Sequence, residues 1–365
     1  MTREVLAAFA FEDDLAHVSR LQGGHIHRNL LVTCRRRRFV LQQLNDTVFP
    51  DIALLLSNVE RVTAHLKTAG RTGPELVPTR DGSLSFRTAD GFVWRAFHFL
   101  EGTVGGDTLS GSDTAYEAAR CFADYLVALE DLPDPPLQPA LAHFHDLPRR
   151  MSTLDAVVTA DPVGRRSAVD DQIERAHRLG GEVIKALASQ GGPSPVRIVH
   201  NDAKLSNVRF NATTGRATCV VDLDTTMPGY ARHDAGELMR AVTSHAHEDA
   251  ADEADVDFDL DLVDALAAGY FSSHIDFTPS EIDAMAVAGP EMAVENGLRF
   301  LTDHIAGDRY FAVDRRGQNL DRCRTQLRLT ELMLDAQSEI RGCFGRAARY
   351  RASGPLARNP AKGAP

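Results

Sequence analysis

Hydrophobic positions fall into two regimes along the chain: short apolar runs broken by glycine turns over roughly the first hundred residues, then apolar residues at helical spacing. Residues 1 to about 20 follow an amphipathic helical pattern. Leu21-Gln22-Gly23-Gly24-His25-Ile26-His27-Arg28-Asn29 reads as a glycine turn feeding a strand at Leu30-Leu31-Val32, and Phe39 to Leu44 reads as the next strand. Between Asp51 and Ala69, Ile52, Leu55, Leu56, Val59, Val62 and Leu66 recur three and four apart, which predicts a helix that also carries Glu60. Leu84-Ser85-Phe86 and Phe92 to Phe97 predict a second hairpin turning at Asp90-Gly91.

Near residue 100 the pattern changes. Glu101-Gly102 and Gly105-Gly106 read as a flexible crossing, and a lobe boundary there divides the chain into residues 1–100, residues 101–350 and a disordered tail at 351–365 rich in proline and glycine. Ser112 or Asp113 is placed to cap a helix carrying Tyr116, Ala119, Phe122, Ala123, Leu126 and Leu129, which Pro133, Pro135 and Pro136 stop. Helical patterns recur near 167–189 and 321–341. Trp94, Phe97 and Phe99 read as core of the amino-terminal sheet, and the stretch from Phe97 to Gly102 is also placed to border an adenine.

Bulk composition narrows the function classes. At 365 residues, 43% hydrophobic and 25% charged, the chain has the makeup of a folded protein with room for two adjoining lobes. A net charge of −11 with scattered basic residues gives nucleic-acid binding no electrostatic support, and the Arg35–Arg38 run is short enough to be a solvated hairpin tip. Cys34, Cys121, Cys219, Cys323 and Cys343 are odd in number and dispersed, which suits reduced thiols in the cytoplasm rather than a zinc site or a disulfide framework. No stretch approaches 18 apolar residues and the amino terminus has no export signal, so neither membrane insertion nor secretion is expected.

The chemistry gathers in two strings. After the apolar stretch Val196 to Val199 comes His200-Asn201-Asp202-Ala203-Lys204-Leu205-Ser206-Asn207, and after Cys219-Val220-Val221 comes Asp222-Leu223-Asp224. This spacing matches the kinase catalytic loop H-R-D-x-x-x-x-N followed by a metal-binding aspartate, with Asn201 in the arginine position. Phosphoryl transfer needs the triphosphate charge neutralised and the attacking oxygen held in line, for which carboxylate and amide oxygens on magnesium are suited. Asp202 is then the proton acceptor, Asn207 and Asp222 the magnesium ligands, and His200 a brace for the loop. A loop capped by the same polar residues would carry some of this spacing, but not the two strands and the glycine-turn lobe in kinase order.

Asn201 and the surrounding strings resemble the aminoglycoside phosphotransferase and choline kinase group. Phe39 to Asn45, His200 to Asn207, Val221 to Gly229 and Arg299 to Phe311 together resemble the N-acetylhexosamine 1-kinases within it, over residues 20 to 340. The resemblance implies an α+β, two-lobed protein-kinase-like fold with a small antiparallel-sheet N-lobe and a larger helical C-lobe, with ATP and Mg2+ between them. It implies transfer of the ATP γ-phosphate to the C1 hydroxyl of a small-molecule sugar, with Asp202, Thr225, Arg299, Tyr310 and His25 as sugar contacts. Gln42, counted with Gly23 and Gly24 among the nucleotide-site residues, stands where kinases place the phosphate-pairing strand lysine, so the nucleotide must be held more by magnesium, by turn amides near Gly23 and Gly24, or by an arginine elsewhere, and Glu60 loses its usual partner.

Two rival readings stand beside this one: a kinase for an amino alcohol, homoserine or an aminoglycoside, and a nucleotide-binding module without activity, suggested by Gln42. Asp224 occupies the position of a kinase glycine and is free to reach a second magnesium, the substrate, or a turn. His245-Ala246-His247 is too closely spaced for one helical face, and Asp255 to Asp261 lacks the glycine of a calcium loop, so both read as solvated segments.

Overall fold

The computed structural model describes residues 3–11, 15–21, 26–190 and 192–353. Its amino-terminal part contains α1 (Arg3–Ala8), β1 (Leu15–Arg20), β2 (Arg28–Cys34), β3 (Arg38–Gln43), α2 (Ile52–Thr68), β4 (Leu76–Val77), β5 (Phe86–Arg87) and β6 (Val93–His98). The strands form one antiparallel sheet in the order β1-β2-β3-β6-β4, with β5 also on β6. The helix expected over residues 1–20 is therefore only α1. Apolar spacing at Val5 and Phe9 supports one short helix, while Leu15 to Arg20 takes its backbone partners from β2, with Val18 opposite Val32. Arg35 and Arg36 lie exposed at the tip between β2 and β3, and Gly91, at φ 92, turns the second hairpin.

Alternation gives the sheet two distinct faces. Leu30, Val32, Phe39, Leu41, Trp94 and Ala96 pack with Val5 and Phe9 of α1 in one core. The opposite face carries two cross-strand rows, because Leu31 pairs Val40 and Val40 pairs Phe97, while Asn29 pairs Gln42 and Gln42 pairs Arg95. An apolar row thus lies two residues along the strands from a polar one. Trp94 is core as expected, whereas Phe97 and Phe99 are half-buried.

Asp51 caps α2 by accepting from Leu54 N at 2.9 Å. The helix buries Leu55, Val59, Val62 and Leu66 in a core shared with Phe122 and Leu126, and leaves Glu60 exposed. Three of its side chains reach backbone carbonyls beyond residue 127: His65 Nε2 to Ala128 O at 2.8 Å, Arg61 Nη2 to Pro133 O at 2.6 Å, and Asn58 Nδ2 to Gln138 O at 2.8 Å.

Beyond the sheet come β7 (Thr103–Gly105), α3 (Ser112–Ala128), α4 (Leu147–Ala160), α5 (Asp170–Ala188), β8 (Arg197–Val199), β9 (Val208–Asn211), β10 (Ala217–Val220), β11 (Met227–Gly229), α6 (Ala231–Val242), α7 (Leu260–Ser272), α8 (Pro279–Ala306), α9 (Gln318–Asp335) and α10 (Gln337–Ser353). The crossing expected to be flexible is instead a strand, since β7 pairs β9 in a three-stranded β10-β9-β7 sheet. Gly106, just after it, has no room for a side chain, because a Cβ would run into the carbonyl oxygen of Leu205. The N-cap of α3 is Gly111 at φ 91, one residue before the expected Ser112. The helix expected at 321–341 breaks at Ala336, and α10 continues to Ser353, three residues into the stretch expected to be tail, whose remainder lies outside the described residues.

The helical part is organised by α8, 28 residues long and buried on nearly every side against α4, α5, α6 and α9. Its start is set by a Thr278/Glu281 capping box with Pro279 at the first turn. All five cysteines are buried thiols, and among the described residues none forms a disulfide. Among the described residues no helix is long and apolar enough to cross a membrane.

Candidate active site

The loop after β8 is fixed from below by Asp234 of α6, which is fully buried and accepts from His200 N at 2.9 Å and Asn201 N at 2.7 Å. Asn201 sits at φ 63, a left-handed conformation that asparagine tolerates better than most residues, and its Nδ2 donates to Thr225 O at 3.0 Å. His200 donates from Nε2 to Val221 O at 2.9 Å, while its Nδ1 accepts from Asp202 N at 3.3 Å. Phe122 and Tyr125 meet the His200 ring edge-on, and Thr225 Oγ1 donates to His200 O at 2.7 Å. Thus His200, Asn201 and Thr225 are tied into one backbone scaffold, and Asp202 is the first side chain to leave it.

Asp202 lies 2.9 Å from Lys204 Nζ and accepts from Asn207 Nδ2 at 2.9 Å. Asn207 O accepts from Val221 N at 2.8 Å, which brings the turn before β9 against the end of β10. The next residue, Asp222, is also left-handed, at φ 62. Burial raises the Asp202 carboxyl, but the Lys204 ammonium, His200 and the Asn207 amide together leave it below its usual range. Asp222 is raised, by burial and then by the Asp224 and Asp202 carboxylates. A carboxylate held in its charged form only against such costs gains from a cation.

Asp224 does not cap a turn. Both its oxygens face Arg95 of β6, with Nη1 at 2.6 Å and Nη2 at 2.7 Å, and Oδ2 also takes His27 Nε2 at 2.5 Å. His27 Nδ1 accepts from Asn45 N at 3.1 Å, so its proton is on Nε2. Burial opposes the Asp224 charge, yet Arg95 and then His27 hold its carboxyl well below the usual range. Arg95 Nε donates to Gln42 Oε1 at 2.9 Å, and Gln42 Nε2 donates to Asn29 Oδ1 at 3.0 Å. The polar row of the sheet therefore ends in a guanidinium on the loop that carries Asp222. Sequence reasoning gave Arg95 no role. Its only early signal was the strand register that sets it beside Gln42.

A second set of groups extends from the other side of the loop. His145 donates from Nε2 to Asn201 O at 2.7 Å and faces Glu295 Oε1 at 3.2 Å, which Arg150 approaches to 3.6 Å. Arg299 Nη1 donates to Asn296 Oδ1 at 3.1 Å, Asn296 Nδ2 to Glu237 Oε2 at 3.3 Å, and the Arg299 guanidinium lies 5.9 Å from the Tyr310 ring centre. Tyr310 is exposed. His145, Arg150 and Glu295 carried no recognisable sequence pattern.

Asp202, His200, Asn207, Asp222, Thr225 and Gln42 are thus brought together by the two loops and the sheet, whereas Arg299 joins Asn296 and Glu237 in a separate hydrogen-bonded run with Tyr310 beside its guanidinium. Gly23, Gly24 and His25 lie outside the described residues. His245 is exposed and pairs with Asp257 at 2.6 Å, Asp259 caps α7, and no cluster of three or more His, Cys, Asp or Glu suited to a metal occurs among the described residues.

A family model described as a phosphotransferase enzyme family matches residues 17–274. Solved structures share the fold. An amicoumacin kinase in complex with AMP-PNP, Ca2+ and its ligand superposes with a TM-score of 0.62 at 13% identity, covering 89% of this chain and 91% of that one. A microcompartment-associated aminopropanol kinase gives 0.59 at 18% identity over 96% of each chain. Choline kinase from Cryptosporidium parvum Iowa II gives 0.54 at 15% identity over 91% of this chain and 92% of that one.

Proposed function

Because the chain belongs to the phosphotransferase enzyme family, we propose that it is an ATP-dependent small-molecule kinase acting on the anomeric C1 hydroxyl of an N-acetylhexosamine or an allied hexose. The nucleotide lies between the sheet of residues 1–100 and the helical residues 101–350. Asn207, whose Nδ2 is committed to Asp202, keeps Oδ1 for a cation, and Asp222 adds a carboxylate, so the pair suits magnesium, which neutralises the phosphate charge when bound.

Asp202 is ionised at neutral pH and takes the proton of the sugar hydroxyl as that oxygen bonds to the γ-phosphorus and the bond to the departing ADP oxygen breaks. His200 keeps the loop in register through Val221, and Lys204 holds the Asp202 carboxylate. Arg299, Tyr310 and Thr225 contact the sugar.

One observation carries the choice of a neutral acceptor. Three buried glutamates near the catalytic loop each have a cation, Glu237 with Arg240 at 2.5 Å, Glu291 with Arg232 at 2.8 Å, and Glu295 with His145 at 3.2 Å and Arg150 at 3.6 Å, while buried Asp303 is taken up by the backbone N–H groups of Arg309, Tyr310 and Phe311 and by Asn319. Arg299, by contrast, bonds the neutral Asn296. Such a surface has no surplus negative charge for an amine, whereas uncharged hydroxyls suit it.

Incubation with ATP, magnesium and a panel of N-acetylhexosamines, hexoses, amino alcohols, homoserine and aminoglycosides, read by phosphorus NMR, tests this. A C1 phosphate on a sugar is the expected product. Phosphorylation of amino alcohols alone would transfer the activity to the rival acceptor, and turnover of none would leave the nucleotide-binding module.

A further inference from the structure

Kinase-like folds pair the α- and β-phosphates with a lysine on the third strand, and here that position is Gln42. We propose that Arg95, on the neighbouring strand, is the phosphate-contacting residue of the nucleotide site, with Gln42 as its holder and Asp224 as its counter-ion. This rests on the kinase reading above.

Register comes first. Arg95 is the direct partner of Gln42 on the same face of the sheet, and adjacent strands lie only about 4.8 Å apart, a gap that an arginine side chain spans. The apolar Leu31-Val40-Phe97 row lies two residues away on that face, about 6.8 Å along the strands. A nucleotide with its base under the apolar row brings its phosphates under the polar one. The cation has moved one strand across, without leaving the row.

Orientation follows from the hydrogen bonds. Gln42 takes Arg95 Nε at 2.9 Å and is itself held by Asn29 at 3.0 Å, which aims the guanidinium away from the strand and toward the Asp222-Leu223-Asp224 loop. A lysine at position 42 would set two cations side by side, so glutamine here and arginine opposite form a matched pair. Asp224 is two residues from Asp222, the proposed magnesium ligand, so the guanidinium lies beside the loop that would hold the ion and would meet the nucleotide's phosphates there.

Donor capacity remains. Nη1 faces Asp224 Oδ1 at 2.6 Å, yet neither atom makes an aligned hydrogen bond, although both are buried and Arg95 as a whole is 1% exposed. Nη1 carries two hydrogens and Asp224 Oδ1 can take only one, so the fork has a donor left over for a phosphate oxygen. His27, 2.5 Å from Asp224 Oδ2, stays as a partner for that carboxylate when the guanidinium turns to phosphate.

The test is calorimetric binding of ADP and of adenosine, at fixed magnesium and without acceptor. Removing Arg95 alone strands a buried carboxylate, so the comparison is between D224N and the double variant R95M/D224N, each checked for folding by circular dichroism. ADP affinity is expected to fall by about tenfold to hundredfold on adding R95M, the scale of one charge-assisted contact, with adenosine within about twofold. Unchanged ADP affinity overturns the inference. Equal loss of ADP and adenosine also overturns it, because Arg95 would then be shaping the cleft. ADP binding by neither variant nor the unaltered protein would sink the kinase reading itself, and this inference with it.

Discussion

Replacing Asp234 by asparagine probes whether the loop's backbone geometry, rather than the reacting side chain alone, sets activity. Asp234 accepts from His200 N and Asn201 N with its two oxygens, and asparagine offers only one acceptor, turning an NH2 toward the other buried N–H. The losses are one charge-assisted bond, about 1.5–3 kcal/mol, and one stranded donor, about 1–3 kcal/mol. Part is recovered, because burial raises the Asp234 carboxyl above its usual range and the amide no longer bears that cost. A net loss of about 2–4 kcal/mol follows. With an unfolding entropy near 0.77 kcal/mol/K for a chain of this length, the melting temperature should fall by about 3–5 °C in differential scanning calorimetry. Since Asn201 is held left-handed by this contact and Asp202 comes next, kcat should fall about tenfold or more while ADP affinity stays within about twofold. An unaltered melting temperature with unaltered kcat would refute the reasoning.

Other outcomes follow from the same geometry. D202N should reduce turnover by about 10²–10⁴ with ADP affinity nearly intact, and undiminished turnover in a steady-state assay would remove its role as proton acceptor. Asp202 acts only when ionised, and burial raises its carboxyl while Lys204, with His200 and Asn207, brings it down; K204M removes the largest of these opposing influences, so the acid limb of kcat/KM should move to higher pH. A limb that stays in place would show that Lys204 does not set it. Burial pushes Cys219 and Cys323 up to about 12, so an aromatic disulfide reagent at pH 8 should react slowly with the native protein and rapidly with all five thiols in denaturant; fast native reaction at either residue would contradict the burial.

What the sequence disclosed is uneven, for physical reasons. β2, β3 and α2 were legible because their apolar periods are local. So was the spacing of the His200 and Asp222 strings, since residues on one loop keep fixed separations. β1 was misread as helix because its state is decided by a partner strand, and β7 as a flexible crossing because it is paired by β9 and because Gly106, just after it, answers to a close approach by Leu205 rather than to mobility. Arg95, His27 and His145 join the cleft through contacts 129, 197 and 56 residues away in sequence, which no window along the chain reports.

The attachment of α2 bears on how the cleft can breathe. Its buried face shares a core with α3, and His65, Arg61 and Asn58 grip carbonyls of the helical part, so mechanically this helix travels with the larger body although it is encoded among the strands. Control by rocking it outward would break three such grips and wet a common core. Opening for exchange of nucleotide must instead be absorbed by the sheet sliding over a stationary helix, with the give concentrated in the linkers on either side of α2 and at the connection from β6 to β7.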